Sequence, residues 1–136
     1  MKKILLSIAV ISSALLADIA VVVNPSSGVD ALSSSQVKKI FMAKTKNFPN
    51  GNTVKPVDQN ANGSVYATFY DKVAGKSPTK MNKYWVKLTF TGKAEAPKKV
   101  DGNSGVINAV KSNVKAIGYV DSSAVTSDVK VVYTVK

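Results

Sequence analysis

The sequence predicts an α/β fold, a three-layer sandwich in which a mainly parallel, five-stranded sheet is covered by helices on both faces. The first sign is the run from Asp18 to Asn24, which is apolar and β-branched, as expected of a strand buried on both faces. The second is that strand-like and helix-like segments alternate along the rest of the chain. Their order, β-α-β-α-α-β-α-β-β, requires crossover connections, and these favour parallel strands.

The helices are predicted from their start signals and apolar stripes. Ser33 and Gln36 fit a capping box, and Leu32 with Val37 fits a hydrophobic staple at the same start. A second helix is expected from about residue 65 to residue 74, and Ser77-Pro78 begins a third. The third helix carries an inner stripe of Met81, Tyr84, Trp85 and Leu88. On that spacing we interpret Trp85 as a core residue. A fourth helix is expected to be capped by Asn103 or Ser104.

The remaining strands are predicted from short apolar or alternating runs bounded by turn residues. They cover residues 53–58, a short piece near Val100, residues 116–120 and residues 129–135. The sequence shows no internal repeat, so we expect a single domain over residues 18–136.

Residues 1–17 have the pattern of a secretory signal peptide, with two lysines after Met1, an apolar stretch, and small residues before Asp18. We expect cleavage after Ala17, and cleavage after Ala14 stays open. An uncleaved anchor is the other alternative, but the apolar stretch is shorter than the roughly 20 residues that a spanning helix needs. The product is expected to be periplasmic or secreted, with no transmembrane segment after cleavage.

The composition argues against an enzyme. The chain has no histidine and no cysteine, which excludes Ser-His and Cys-His nucleophile pairs and the usual imidazole or thiolate metal ligands. Ser-x-x-Lys matches such as Ser77 with Lys80 lack the motifs that accompany them in penicillin-interacting enzymes. We therefore predict no catalytic residue, no metal site and no cofactor.

The charge predicts anionic partners without selecting among them. The 19 basic residues are all lysines, and the formal net charge is +11. Because arginine is absent, the bidentate fork that reads guanine edges and phosphates is missing, and no specific nucleic-acid partner is expected.

One loop has a positive chemical argument for binding. Asn62, Gly63, Ser64 and Val65 lie between the carboxyl end of a predicted strand and the amino end of the next helix. Ligands of open parallel sheets collect at this edge, and the free N–H groups of a helix start attract anions. We predict these four residues as a ligand-binding site. The alternative is that Asn62 or Ser64 simply caps the helix.

Two acids are expected at the edge of the cleft that would contain this ligand-binding site. Asp58 ends the second predicted strand, and Asp121 follows the fourth.

Several phrases of the chain occur together, in this order, in one known family. They are Ile19-Ala20-Val21-Val22-Val23-Asn24-Pro25, Ile40-Phe41-Met42-Ala43-Lys44, Phe48-Pro49-Asn50-Gly51, Phe69-Tyr70-Asp71-Lys72-Val73-Ala74-Gly75-Lys76-Ser77, Tyr84-Trp85, Phe90-Thr91-Gly92-Lys93 and Ala116-Ile117-Gly118-Tyr119-Val120. The chain resembles the short phosphate ABC transporter substrate-binding-like proteins, which correspond to one lobe of a type 2 periplasmic binding protein.

The resemblance implies an exported solute-binding module. Its implied ligand is phosphate or a similar small anion, and its implied partners are an ABC transporter or a sensor protein. Because such receptors close two lobes around the ligand, a second copy of the chain in a homodimer, or another protein, is expected to complete the site. The alternative is an interaction protein that keeps the scaffold and binds a partner or an anionic envelope polymer.

Overall fold

The computed structural model describes residues 18–136, so the predicted signal peptide, residues 1–17, lies outside the described residues. The strands are β1 (Ile19–Val23), β2 (Lys55–Asp58), β3 (Lys98–Lys99), β4 (Ala116–Asp121) and β5 (Lys130–Val135). The helices are α1 (Ser34–Phe41), α2 (Ser64–Ala74), α3 (Pro78–Phe90) and α4 (Gly102–Ser112), with a 3-10 turn at Ser122–Ala124. The element order is the one predicted from the sequence.

The five strands form one mixed sheet in the order β3-β2-β4-β1-β5. β2 pairs in parallel with β3 and β4, whereas β1 pairs antiparallel with both β4 and β5. The expectation of a mainly parallel sheet is therefore only partly right. The apolar run of β1 shows that the strand is buried on both faces, but such burial fits a central strand of either direction.

Helices cover both faces of the sheet, as predicted. Ile19, Val21 and Val23 contribute to the core beneath α1, α2 and α3, while Ala20 and Val22 contribute to the core beneath α4. This alternation follows from the period of two in a strand. Every residue of β1 is buried, as expected of a strand that lies inside the sheet, between β4 and β5.

The predicted helix signals are confirmed in α1 and α3. Ser33 accepts a hydrogen bond from the Gln36 backbone, and the Gln36 side chain accepts one from the Ser33 N–H, which completes the capping box. In α3, Met81 and Trp85 are buried, so Trp85 is a core residue. No helix within residues 18–136 is both long and apolar enough to cross a bilayer.

The start of α4 differs from the prediction. Its N-cap is Asp101, whose side chain makes no capping bond, and Asn103 lies inside the first turn. Asn103 Oδ1 instead accepts from the Gln59 amide at 2.9 Å and from the Asp121 N–H at 3.1 Å. The polar side chain that suggested a cap therefore joins α4 to β4 and to Gln59, the residue that follows β2.

Candidate anion-binding site

The parallel part of the sheet brings two helix starts to one edge. β2 ends at Asp58 and leads into α2, and the neighbouring β3 ends at Lys99 and leads into α4. Asp58 and Lys99 are direct partners in the parallel register. The amino ends of α2 and α4 therefore lie at the carboxyl edge of these strands, where ligands of such sheets bind.

The start of α2 has no side-chain cap. Its N-cap is Gly63, and no side chain bonds to the first turn. The first three amides of the helix, those of Ser64, Val65 and Tyr66, have no carbonyl partner in the preceding turn. They present N–H groups and about half a positive charge of helix dipole to whatever lies in front of them.

The loop before α2 is organised by Asn60. Its side-chain oxygen accepts from the Asn62 N–H at 2.9 Å, and its carbonyl accepts from the Gly63 N–H at 2.9 Å. The N–H groups of Asn62 and Gly63 are thus bonded within the loop, whereas the N–H groups of Ser64 and Val65 remain available as donors. Asn60 thus orders the loop, and no side chain caps the first turn of α2.

The four predicted ligand-binding residues lie together at this helix start. Asn62, Gly63 and Ser64 are exposed and Val65 is half-buried. Neither Asn62 nor Ser64 caps α2 through its side chain. Backbone N–H groups and the Ser64 hydroxyl are what the site can offer a ligand, and both are suited to an anion.

Asp58 ends β2 as predicted, but its side chain is completely buried and does not line an open cleft. Its Oδ1 accepts from the hydroxyls of Tyr70 and Tyr119, each at 2.8 Å, and its Oδ2 lies 3.0 Å from the Tyr70 hydroxyl. Burial raises the pKa of Asp58 to about 6, although the two tyrosine hydroxyls and Lys99 act in the opposite direction. The pKa values of both tyrosines are raised, chiefly by burial and then by the Asp58 charge.

Asp121 ends β4 at the same edge and is partly exposed. Its Oδ1 accepts from the backbone and hydroxyl of Ser123, at 3.0 Å and 2.8 Å, which fixes the 3-10 turn. Its carboxylate thus serves the turn that follows β4.

The sequence prediction of the site missed three residues of this edge, Gln59, Asn103 and Lys99. Gln59 donates to Asn103 and to the Tyr119 carbonyl, each at 2.9 Å. Lys99 is exposed beside Asp58 and supplies a cation at the edge. The amide pair could have been suspected from its polar residues following two strands, but a lysine in a lysine-rich chain gives no signal.

The described residues thus define an α/β domain in which an uncapped helix start lies at the carboxyl edge of the sheet. No family model matches the chain, and no curated protein matches it. Solved structures do match. A protein assigned as a phosphate ABC transporter substrate-binding protein, with phosphate bound, from Clostridium perfringens has a TM-score of 0.68 at 21% identity. An ABC-type phosphate transport receptor from Vibrio cholerae has a TM-score of 0.67 at 20% identity.

PstS from Borrelia burgdorferi is a further match, with a TM-score of 0.61 at 14% identity. The matches cover 86%, 86% and 85% of this chain but 45%, 46% and 47% of those proteins, in the order given. The chain therefore has the fold of about half of a phosphate ABC transporter substrate-binding protein. The fold expected from the sequence resemblance is confirmed.

Proposed function

We propose that the protein is an exported, non-enzymatic solute-binding module that holds phosphate or a similar small anion in ABC-type uptake or sensing. The fold it shares with phosphate receptors supports a solute-binding role. Because the sequence contains no histidine and no cysteine, it cannot form the Ser-His and Cys-His nucleophile pairs of many enzymes, which fits a role without catalysis.

One observation carries the proposal: α2 begins with an exposed, uncapped turn. Ser64 and Val65 can donate their N–H groups to an anion oxygen, and the Ser64 hydroxyl can add a third donor. Hydrogen bonds to a charged acceptor are worth about 1.5–3 kcal/mol each, so a few of them suffice for a weak specific site.

The experiment removes one of these donors without disturbing the helix. Ser64 occupies the first helical position of α2, where proline is tolerated, and Gly63 before it is extended, with ψ 155°. Ser64→Pro therefore deletes an amide and a hydroxyl while α2 can still form. Ser64→Ala deletes the hydroxyl alone.

A matched control exists at α1. Ser34 is the first helical residue there, and Ser33 before it is extended, with ψ 165°. Ser34→Pro makes the same chemical change at a helix start that lies beside the carboxyl end of β5, and two strands, β4 and β1, separate β5 from β2 in the sheet.

Phosphate binding is measured by calorimetry at low and moderate salt. We expect saturable binding that persists in salt, falls roughly tenfold or more in Ser64→Pro, and is unchanged in Ser34→Pro. Equal affinities of the two proline variants, or binding that vanishes in salt for the unmodified protein, would refute the proposal.

The position of the site suggests the kind of partner. Asn62, Gly63 and Ser64 face solvent, so a bound anion would keep water on its outer side. Since affinity depends on desolvated contacts, we infer that a second copy of the chain, a transporter or a sensor covers the site when binding is tight.

A second candidate function, an interaction protein on the same scaffold, is favoured by the outer face of α3. Val86 is 59% exposed and Phe90 is 91% exposed, and Lys83 and Lys87 are exposed on the same helix. Such a face suits an acidic partner protein or an anionic envelope polymer. Binding that depends on Phe90 and is indifferent to phosphate would favour this reading over the first.

A further inference from the structure

A groove of about 580 Å³ lies at the end of the sheet opposite the candidate anion site. It is bounded by the amino ends of β2 and β3, the carboxyl-terminal part of α3, the segment after α1 and residues 92–97. Its volume is within the range of small-molecule sites. Because the phosphate-type site lies at the carboxyl ends of the same strands, the groove is a separate feature.

The inner wall of the groove is apolar. Ile40, Val54 and Trp85 are buried residues of the core and Pro56 is half-buried, and all four line the groove. A ligand would therefore contact aliphatic and aromatic surface on its inner side. A small hydrophilic anion would lose water there without replacing its hydrogen bonds.

The rim of the groove is cationic. Lys46, Lys55, Lys93 and Lys98 line it and are exposed, against a single acid, Glu95. The ion pair found within residues 18–136 joins Lys130 to Asp30, so none of the four lysines has a carboxylate partner in the described chain. An apolar wall under four unpaired cations is complementary to an organic anion.

Trp85 supplies an unsatisfied donor beside the wall. It is 5% exposed, and its Nε1 is the buried side-chain polar atom that lacks a hydrogen-bond partner among the described residues. The indole N–H can only donate, so it requires an acceptor oxygen. Neighbouring atoms cover Nε1, so a ligand acceptor would reach it only if a side chain of the wall moved.

We propose that this groove binds a carboxylate-bearing molecule with an apolar body. The body lies against Ile40, Val54 and Pro56, and the carboxylate lies on the side of the lysines. Trp85 donates to the carboxylate once the side chain that covers Nε1 has moved. This ligand class differs from the inorganic anion proposed for the start of α2.

Trp85 also provides the measurement, because it is the single tryptophan of the chain. Its indole N–H gives one cross-peak in a proton–nitrogen correlation spectrum. Octanoate is the probe, octanamide is its neutral analogue of the same length, and inorganic phosphate is the hydrophilic anion. We expect octanoate to move the indole peak saturably and the backbone amides of Val54 and Lys98 with it, and the other two compounds to bind much more weakly.

Variants separate the groove from the general basic surface. Lys46→Gln and Lys98→Gln should each weaken octanoate binding roughly threefold, as expected of exposed charges, and more in combination. Lys111→Gln, an exposed lysine on α4, should not. Trp85→Phe, followed through the Val54 amide, should weaken octanoate roughly tenfold because a hydrogen bond to the carboxylate is lost.

The opposite results would overturn the proposal. Equal binding of octanamide would show that charge plays no part, and equal shifts with phosphate would show that the apolar wall plays none. An equal loss in Lys111→Gln would indicate diffuse attraction to the lysine surface. Full affinity in Trp85→Phe, with normal folding, would remove the indole from the site.

Discussion

Replacing Asp58 by asparagine should stabilise the protein at neutral pH and leave its stability little changed near pH 4. The carboxylate is fully buried, and its partners are two tyrosine hydroxyls. Both hydroxyls bond to Oδ1 at 2.8 Å, so the asparagine oxygen can accept both of them. The variant removes the charge and keeps the shape.

The expected size follows from the pKa. Burial raises the pKa of Asp58 from 3.8 to about 6, and this difference corresponds to about 3 kcal/mol. Because the folded state binds the proton more tightly than the unfolded state, the stability contributed by protonated Asp58 is complete below about pH 4. It is lost as the pH rises through about 6, where the carboxyl ionises in the folded state.

The assay is urea unfolding of the unmodified protein and of Asp58→Asn between pH 4 and pH 7.5. The free energy of unfolding of the variant, relative to that of the unmodified protein, should rise by up to about 3 kcal/mol across this range. Nearly all of the rise should occur between pH 4 and pH 6.5. Asp128→Asn, an exposed acid, controls for the change in net charge. A difference between Asp58→Asn and the unmodified protein that is independent of pH, or that falls as the pH rises, would refute the argument.

Two further substitutions test the core around this site. Tyr119→Phe keeps the ring stacked on Phe69 but removes the donor to Asp58. It should lower the free energy of unfolding, measured in urea, by about 1–3 kcal/mol. The loss should be larger at pH 7.5 than at pH 4.5, because an ionised carboxylate loses more when its donor is removed. Gly118→Ala would place a methyl carbon 2.4 Å from Cγ1 of Val106 and should lower the free energy of unfolding by about 1–3 kcal/mol. The double variant Gly118→Ala with Val106→Ala should lose less stability than the sum of the two single losses, because the smaller side chain removes the clash.

Local signals predicted most of the fold. The capping box at Ser33 and the stripe through Met81 and Trp85 each depend on residues a few positions apart, and they appear in the structure as predicted. The direction of β1 could not be predicted in this way. Strand direction is set by the path of the whole chain, and an apolar run is the same when it is read from either end.

Long-range pairing explains why Asp58 was misplaced at a cleft edge. An acid at the end of a strand normally reaches water, as the partly exposed Asp121 does. Asp58 is enclosed because Tyr70 on α2 and Tyr119 on β4, 12 and 61 residues away, bring their hydroxyls to it. The position of the start of α2 was easier to predict, because it depends on neighbouring residues, whereas the sequence left open whether Asn62 or Ser64 caps it.

The charge of Asp58 should also influence the proposed phosphate site. Tyr66, in the first turn of α2, has its pKa raised to about 12 by burial and then by the Asp58 charge, so the carboxylate acts on that turn. Above about pH 6 it therefore opposes an anion held by the same amides.

We expect Asp58→Asn to bind phosphate a few-fold more tightly than the unmodified protein at pH 7.5 and with nearly equal affinity at pH 5. Calorimetry on both proteins at each pH cancels the ionisation of phosphate itself. A gain of the same size at both pH values would mean that the substitution acts through packing, and no gain at pH 7.5 would mean that phosphate binds away from α2. A gain confined to the higher pH would show that the charge of the buried Asp58 carboxylate weakens phosphate binding at the start of α2.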